Sequence, residues 1–142
     1  MTTIDYGPHD DGVPLPLLTG GLAERMGIEY IQLSASHSVA RMPVEGNTQP
    51  FGLLHGGAHL VLGESLGSLS SALHGGPDKI AVGIEISATH SRSVSSGWVE
   101  ATCDAIHLGR TLCTHGIVVR DEDGHLLSTV RITNMLRPRP AN

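Results

Sequence analysis

The sequence predicts an α+β domain in which a curved antiparallel sheet of about six strands wraps one long helix. Three observations lead to this. Leu62, Leu66, Leu69 and Leu73 recur at i, i+4, i+7 and i+11, a single buried helical stripe. Ile80, Val82, Ile84, Ile86 and Ala88 alternate with Ala81, Gly83, Glu85, Ser87 and Thr89, the period of a strand. Turn signals then divide the rest of the chain into further strand-length runs. A single long helix beside this many strands has to lie against one face of the sheet, and 142 residues suit one domain.

Residues 1–14 are polar and turn-rich, an expected loose arm, and 15–26 predict a short helix weakened by Gly20 and Gly21. From Gly27 the period changes to two, and the Ser34-Ala35-Ser36 turn predicts a hairpin returning through His37–Val44. Gly46, Asn47 and Pro50 break the chain. The long helix is expected from Gly57 to Leu73. Gly63, Gly67 and Ser70 form a stripe of small residues beside the leucines, and their cost to helix stability implies a packing reason. His74-Gly75-Gly76-Pro77 supplies the stop. A meander of four strands is expected next: the run 80–89, then Trp98–His107, Thr111–Arg120 and His125–Leu136, with Leu108-Gly109-Arg110 as a tight turn and 121–124 as a hairpin loop. Arg137-Pro138-Arg139-Pro140 reads as a tail unable to continue a ladder. This divides the chain into an arm and short helix (1–26), the domain (27–136) and a tail (137–142).

The formal charge of −5 argues against a nucleic-acid partner, which normally meets a basic face. Eighteen glycines and 3% aromatic residues leave a core that gains little burial per residue, so a partner subunit is expected to supply some. Cys103 and Cys113 each sit in a strand-like run, where they can pair, but they make neither a secreted framework nor a zinc site. No apolar run approaches membrane-spanning length and no basic-then-apolar leader opens the chain, so the cytoplasm and no membrane association are expected.

Chemistry concentrates between Gln49 and Leu73. Glu64 is the sole charge of the predicted helix and shares a face with Ser68, turned away from the leucine stripe. A solvated Glu on an exposed face is the plain alternative, although that face carries no other charge. His55-Gly56-Gly57 stands where loop becomes helix, and the backbone N–H groups there lack internal partners. Glycine lets a substrate oxygen approach them, which makes an oxyanion hole; a flexible helix entry is the alternative. The second His-Gly-Gly, at His74, ends a helix where carbonyls are free, and is expected to be structural. His55 and His59 have i, i+4 spacing, but the metalloprotease pattern needs Glu at position 56, so no metal or cofactor is expected. His90, Arg92, Gly109 and Arg110 sit at strand ends and turns, where Arg can hold a phosphorylated ligand or simply be a surface charge. No nucleophile elbow, P-loop or dinucleotide fingerprint is present. A lone carboxylate with oxyanion donors points to attack on a polarised acyl carbonyl.

The segments QPFGLLHGGAHLVLGESLGS, VGIEISATHSRSV and IHLGRT resemble the hotdog-fold acyl-CoA thioesterases. The resemblance is to the 4-hydroxybenzoyl-CoA and phenylacetic-acid-degradation type, near 1,4-dihydroxy-2-naphthoyl-CoA hydrolases and the proofreading thioesterases of siderophore assembly. It covers about 27–136 and is most specific over 49–68. It implies that Glu64 is the catalytic carboxylate, acting as nucleophile or general base. Gln49, His55 and the Gly56 N–H would polarise the thioester carbonyl, and Ser68 would position water or the carboxylate. It also implies a homodimer or homotetramer whose sites lie between subunits, with Glu64 and Ser68 from one chain and Gln49, His55 and Gly56 from its partner. His90, Arg92, Gly109 and Arg110 fall in segments resembling those that line the coenzyme A tunnel, with Arg92 and Arg110 toward its phosphates. Ser87 and Ser93 replace residues that are often Asn and Pro in relatives, and the loop before Gln49 is about one residue shorter. These departures bear on the acyl pocket rather than the carboxylate.

The expected substrate is therefore an acyl-CoA or acyl-carrier-protein thioester with an aromatic or medium-chain acyl group. Two alternatives on the same fold are an enoyl-thioester hydratase and a non-catalytic acyl-CoA sensor. The first lacks its acid–His loop pattern here. The second does not account for Glu64, Ser68 and Gln49 occurring together.

Overall fold

The computed structural model describes residues 20–141. Its elements are α1 (Gly21–Arg25), β1 (Glu29–Gln32), β2 (His37–Pro43), α2 (Gly56–Gly75), β3 (Lys79–His90), β4 (Trp98–Leu108), β5 (Leu112–Asp121) and β6 (Leu126–Pro138). The strands form one antiparallel sheet in the order β1-β2-β4-β5-β6-β3, and α2 packs against one face of it. The expected arm, and residues 15–19 of the expected short helix, lie outside the described residues; α1 falls within the expected span and starts at Gly21, with Gly20 as its extended N-cap.

The leucine stripe of α2 is buried throughout, against Met42, Val99, Ile117, Leu127 and Ile132 of the sheet. Each such side chain contributes about 1.5–3 kcal/mol of burial. The small-residue stripe has the packing reason its helix cost implied. A Cβ on Gly63 would stand 2.9 Å from Val130 Cγ1, and one on Gly67 would overlap Ile132 Cγ2, so the missing side chains let β6 approach the helix axis. The helix runs past its expected end through His74 and Gly75. Gly76, at φ 80°, forms the C-cap and donates its N–H to Ala72 O at 3.0 Å. His74 Nε2 donates to Gly109 O at 2.8 Å, tying the helix end to the β4–β5 turn, which is the structural role anticipated for it.

Three expectations about the strands are corrected. The meander has three strands rather than four: β3 pairs with β6 at the sheet edge, and β4 pairs with β2. The connection 91–97 decides this, because it is held by Leu54 N–H to Val94 O (2.8 Å) and Val44 N–H to Gly97 O (2.9 Å). Those bonds deliver the chain beside β2. Second, β6 continues through Arg137 and Pro138, paired with Ile80 and Lys79. Its β5 neighbour has ended by then, so the missing proline N–H leaves no ladder bond unmade. Third, the alternation of β3 is interrupted by a bulge between Gly83 and Glu85, with Ile84 the extra residue. Ile86 and Ala88 pack toward the core, whereas Gly83 is the residue turned toward α2 in the other half of the strand.

Cys103 and Cys113 are both buried free thiols. The β4–β5 register sets Cys113 opposite Leu108 and Cys103 opposite Ile117, so they do not pair.

Candidate active site

The entry to α2 is built on a pinned loop. Asn47 Nδ2 donates to Met26 O (2.7 Å) and Pro43 O (2.8 Å), and Asn47 O accepts from His55 N–H (2.9 Å). Thr48 and Leu54 form an isolated bridge, and Gln49 N–H bonds Leu53 O at 2.8 Å. The Gln49 side-chain carbonyl accepts from the Phe51 N–H, which leaves its amide nitrogen as the free donor end.

His55 is the N-cap of α2, and its Nδ1 accepts the Gly57 N–H at 2.8 Å. A ring accepting at Nδ1 carries its proton on Nε2, so the exposed nitrogen is a donor. Gly57 N–H is consumed by this cap. Gly56 N–H is the first of the helix and has no carbonyl one turn back. The ring of His90, from the end of β3, lies against Gly56: a Cβ there would be 3.0 Å from His90 Nε2. Behind it His59 is buried, its Nδ1 bonded to Ser128 Oγ at 2.9 Å and its ring centroid 4.9 Å from that of His90. Burial, with His90 adding to it, pushes the His59 pKa down to about 4. His55 and His59 are thus committed to separate tasks. Among the described residues, the one group of side chains close enough to share a cation is Asp121, Asp123 and His125, in the β5–β6 turn.

The second half of the site lies farther along α2. Glu64 is exposed and reaches over Gly83, where a Cβ would stand 2.9 Å from its Oε1. The same point is 3.7 Å from Asn134 Oδ1, and Asn134, fully buried, accepts from Ser68 Oγ at 3.1 Å. Glu64, Ser68, Gly83 and Asn134 therefore form one cluster. Gly83 and Asn134 were not singled out in the sequence. Asn134 had a signal, since it is a polar residue in register with inward-facing Val130, Ile132 and Leu136. Gly83 had none, because the bulge that turns it inward is invisible in the alternation. A cleft of about 370 Å³ adjoins the cluster, lined among others by Tyr30, Ser65, Ser68, Leu69, Ile80 and Ala81.

The remaining candidates are spread out. Arg92 follows β3 at the His90 end, beside a groove that also holds Asp121, Glu122 and Asp123. Arg110 lies at the other end, where its carbonyl accepts from Lys79 Nζ at 3.3 Å. The 12 residues of β3, about 35 Å at ~3.3 Å per residue, separate them. Gly109 closes the β4–β5 turn: a Cβ there would be 2.8 Å from Leu112 O, which leaves no room for a side chain.

Among the described residues, a six-stranded antiparallel sheet packed on one central helix is the hotdog arrangement, shared with solved thioesterases. The chain belongs to the thioesterase superfamily, whose family model matches residues 51–128. It is 46% identical over 115 residues to the proofreading thioesterase EntH of Cronobacter turicensis, covering 80% of this chain and 84% of that one. A thioesterase of Haemophilus influenzae superposes with TM-score 0.81 at 35% identity, covering 87% of each chain. A mutant thioesterase of Pseudomonas aeruginosa gives TM-score 0.82 at 36% identity, over 92% of this chain and 98% of that one. Among the described residues no helix is long and apolar enough to cross a membrane.

Proposed function

We propose that the protein hydrolyses an acyl-CoA or acyl-carrier-protein thioester, aromatic or medium-chain in its acyl group, at sites shared between two chains. Glu64 is the catalytic carboxylate and Ser68 its partner. Gln49, His55 and the Gly56 N–H of the other chain polarise the carbonyl. The observation that carries this is a distance. From Gly56 to Glu64 the helix rises about 12 Å at ~1.5 Å per residue. Donor and carboxylate must each come within about 3 Å of the reacting group. Within one chain the Glu64 side chain would have to span most of the remaining gap, which favours donors from a second chain.

Other features support the pairing. Strand β3 is a long sheet edge, and edges of this kind are normally covered. Its Ile84 is 52% exposed beside Glu64, and Phe51, next to Gln49, is 88% exposed. Arg92 and Arg110 lie at opposite ends of one chain, which favours a coenzyme A site to which two chains contribute. The cleft beside Ser68 suits the acyl group, with Leu69, Ile80 and Ala81 supplying apolar wall and Tyr30 and Ser65 polar atoms.

The test is complementation. Glu64→Ala and His55→Ala should each be inactive in thiol release with benzoyl-CoA. Random mixing of the two should restore about a quarter of wild-type activity, since half the dimers are mixed and one site in each is intact. Full activity of Glu64→Ala would overturn the mechanism, and no recovery on mixing would overturn the shared site.

A further inference from the structure

Behind Ser68 a chain of hydrogen bonds runs into the core. Ser68 Oγ meets Asn134 Oδ1 (3.1 Å), Asn134 Nδ2 meets Ser71 Oγ (3.2 Å), Ser71 Oγ meets His115 Nδ1 (3.5 Å), and His115 Nε2 meets Ala35 O (2.8 Å). Asn134, Ser71 and His115 are all buried. The chain has one direction, and its far end sets it. A backbone carbonyl can only accept, so His115 carries its proton on Nε2 and presents a lone pair at Nδ1. Burial lowers the pKa of His115, which keeps the second proton off. The hydroxyl facing Nδ1 is that of Ser71, which must spend its single proton there. Cys113 also borders Ser71, as a thiol that burial holds protonated, so it does not compete as a strong acceptor. Ser71 is then an acceptor toward Asn134, which fixes the amide with its nitrogen toward Ser71 and its oxygen toward Ser68. Ser68 must donate to that oxygen.

We infer that Asn134 is a positioning residue: through Ser71 and His115 it fixes Ser68 as a hydrogen-bond acceptor toward the thioester, so that Ser68 and Glu64 together orient an attacking water. This rests on the reading of Glu64 and Ser68 given above and decides between its two forms of attack. A hydroxyl whose proton is engaged behind it offers only lone pairs to the site. A carboxylate likewise only accepts. Two acceptors one helical turn apart suit a water that gives one hydrogen to each and turns its own lone pair toward the carbonyl carbon. The proton passes to Glu64 as the oxygen–carbon bond forms. The carbon–sulfur bond then breaks, and Glu64 returns the proton to the departing thiolate. One water and one thioester give one acid and one thiol. A Glu64 nucleophile would gain nothing from an acceptor-only Ser68 beside it.

The variants to make are Ser71→Ala and Asn134→Leu, each alone and in a Ser68→Ala background, assayed by thiol release from benzoyl-CoA. Ser71→Ala frees the Asn134 amide to flip and requires little repacking. Each single variant should lose about tenfold in kcat with KM little changed, as expected for one misdirected hydrogen bond in the transition state. Neither should lose more once Ser68 is alanine. Wild-type kcat in folded Ser71→Ala, or losses that multiply with that of Ser68→Ala, would overturn the inference. The wild-type protein supplies a measurement that needs no variant: nitrogen NMR of His115 should show protonated Nε2 and bare Nδ1, and the opposite tautomer would reverse the chain. A single turnover in ¹⁸O water should label the released acid and not Glu64; label in Glu64 would count against the water. An active Glu64→Gln enzyme would remove the functional reading itself, and is read separately from the coupling of Asn134 to Ser68.

Discussion

Gly83 and His55 show how single residues set the two halves of the proposed site. Glu64 reaches across Gly83 because no Cβ stands there, and a Cβ would come within 2.9 Å of Oε1. The obstructed atom is the tip of a flexible side chain, so it moves aside at little cost. Gly83→Ala should therefore lower kcat at least about tenfold through misplacement of the carboxylate, with the melting temperature nearly unchanged. A fully active Gly83→Ala enzyme would show that Glu64 works from another rotamer. His55 combines two tasks, capping α2 through Nδ1 and presenting Nε2–H outward. Asn caps as well but is too short to present that donor. His55→Asn should keep stability within about 0.5 kcal/mol while activity falls roughly a hundredfold. His55→Leu should lose activity to the same extent and also about 1 kcal/mol of stability, read by urea denaturation. Equal stability of the two variants would mean that the cap contributes nothing. Glu64 and His55 stand out as candidates by residue type and position, and the roles proposed for them come from the resemblance. Gly83 does not stand out, because its place depends on a one-residue bulge in β3.

At the scale of the element, α2 is shaped by two stripes with opposite demands. The leucines fill space, and Gly63 and Gly67 empty it so that Val130 and Ile132 can lie against the helix backbone. A Cβ at position 67 would meet a β-branched side chain on a central strand, which cannot rotate away freely. Although Ala is the better helix former, Gly67→Ala should destabilise by about 1–3 kcal/mol, the usual cost of overpacking. A rise in melting temperature would refute the packing account. Both stripes are legible in the sequence, since they depend only on helical period. The neighbours of each strand are not: the pairing of β3 with β6 depends on where the connection 91–97 is tethered, and those bonds join residues distant in the chain.

Across the whole molecule, buried histidines couple the fold to pH. His59 has its pKa pushed down to about 4, below the ~6.5 of an unfolded histidine. Between those values the unfolded chain holds the proton and the folded chain does not. The contribution of neutral His59 to stability is therefore complete above about pH 6.5 and lost as pH falls toward 4, by up to ~1.4 kcal/mol per pH unit. His115, lowered by burial too, acts in the same direction. The urea midpoint should fall between pH 7 and 4.5, and His59→Gln should flatten that fall in part. An unchanged slope in His59→Gln would assign it to other groups. The same burial keeps His59 neutral behind Gly56, at the end of the helix proposed to receive the substrate oxygen.

The sequence by itself determined the fold class and the helix with its two faces, and it marked Gln49 to Leu73 as the candidate site. These depend on period and on local turn chemistry, which a chain carries without reference to its neighbours. Tertiary structure alone decided that β3 closes the edge beside β6, that Gly83 makes room for Glu64, and that Asn134 stands behind Ser68. Each of these joins residues about twenty or more apart in the chain, and a hydrogen bond's direction is set by its last acceptor. For Ser68 that acceptor is the carbonyl of Ala35, on the far side of the core.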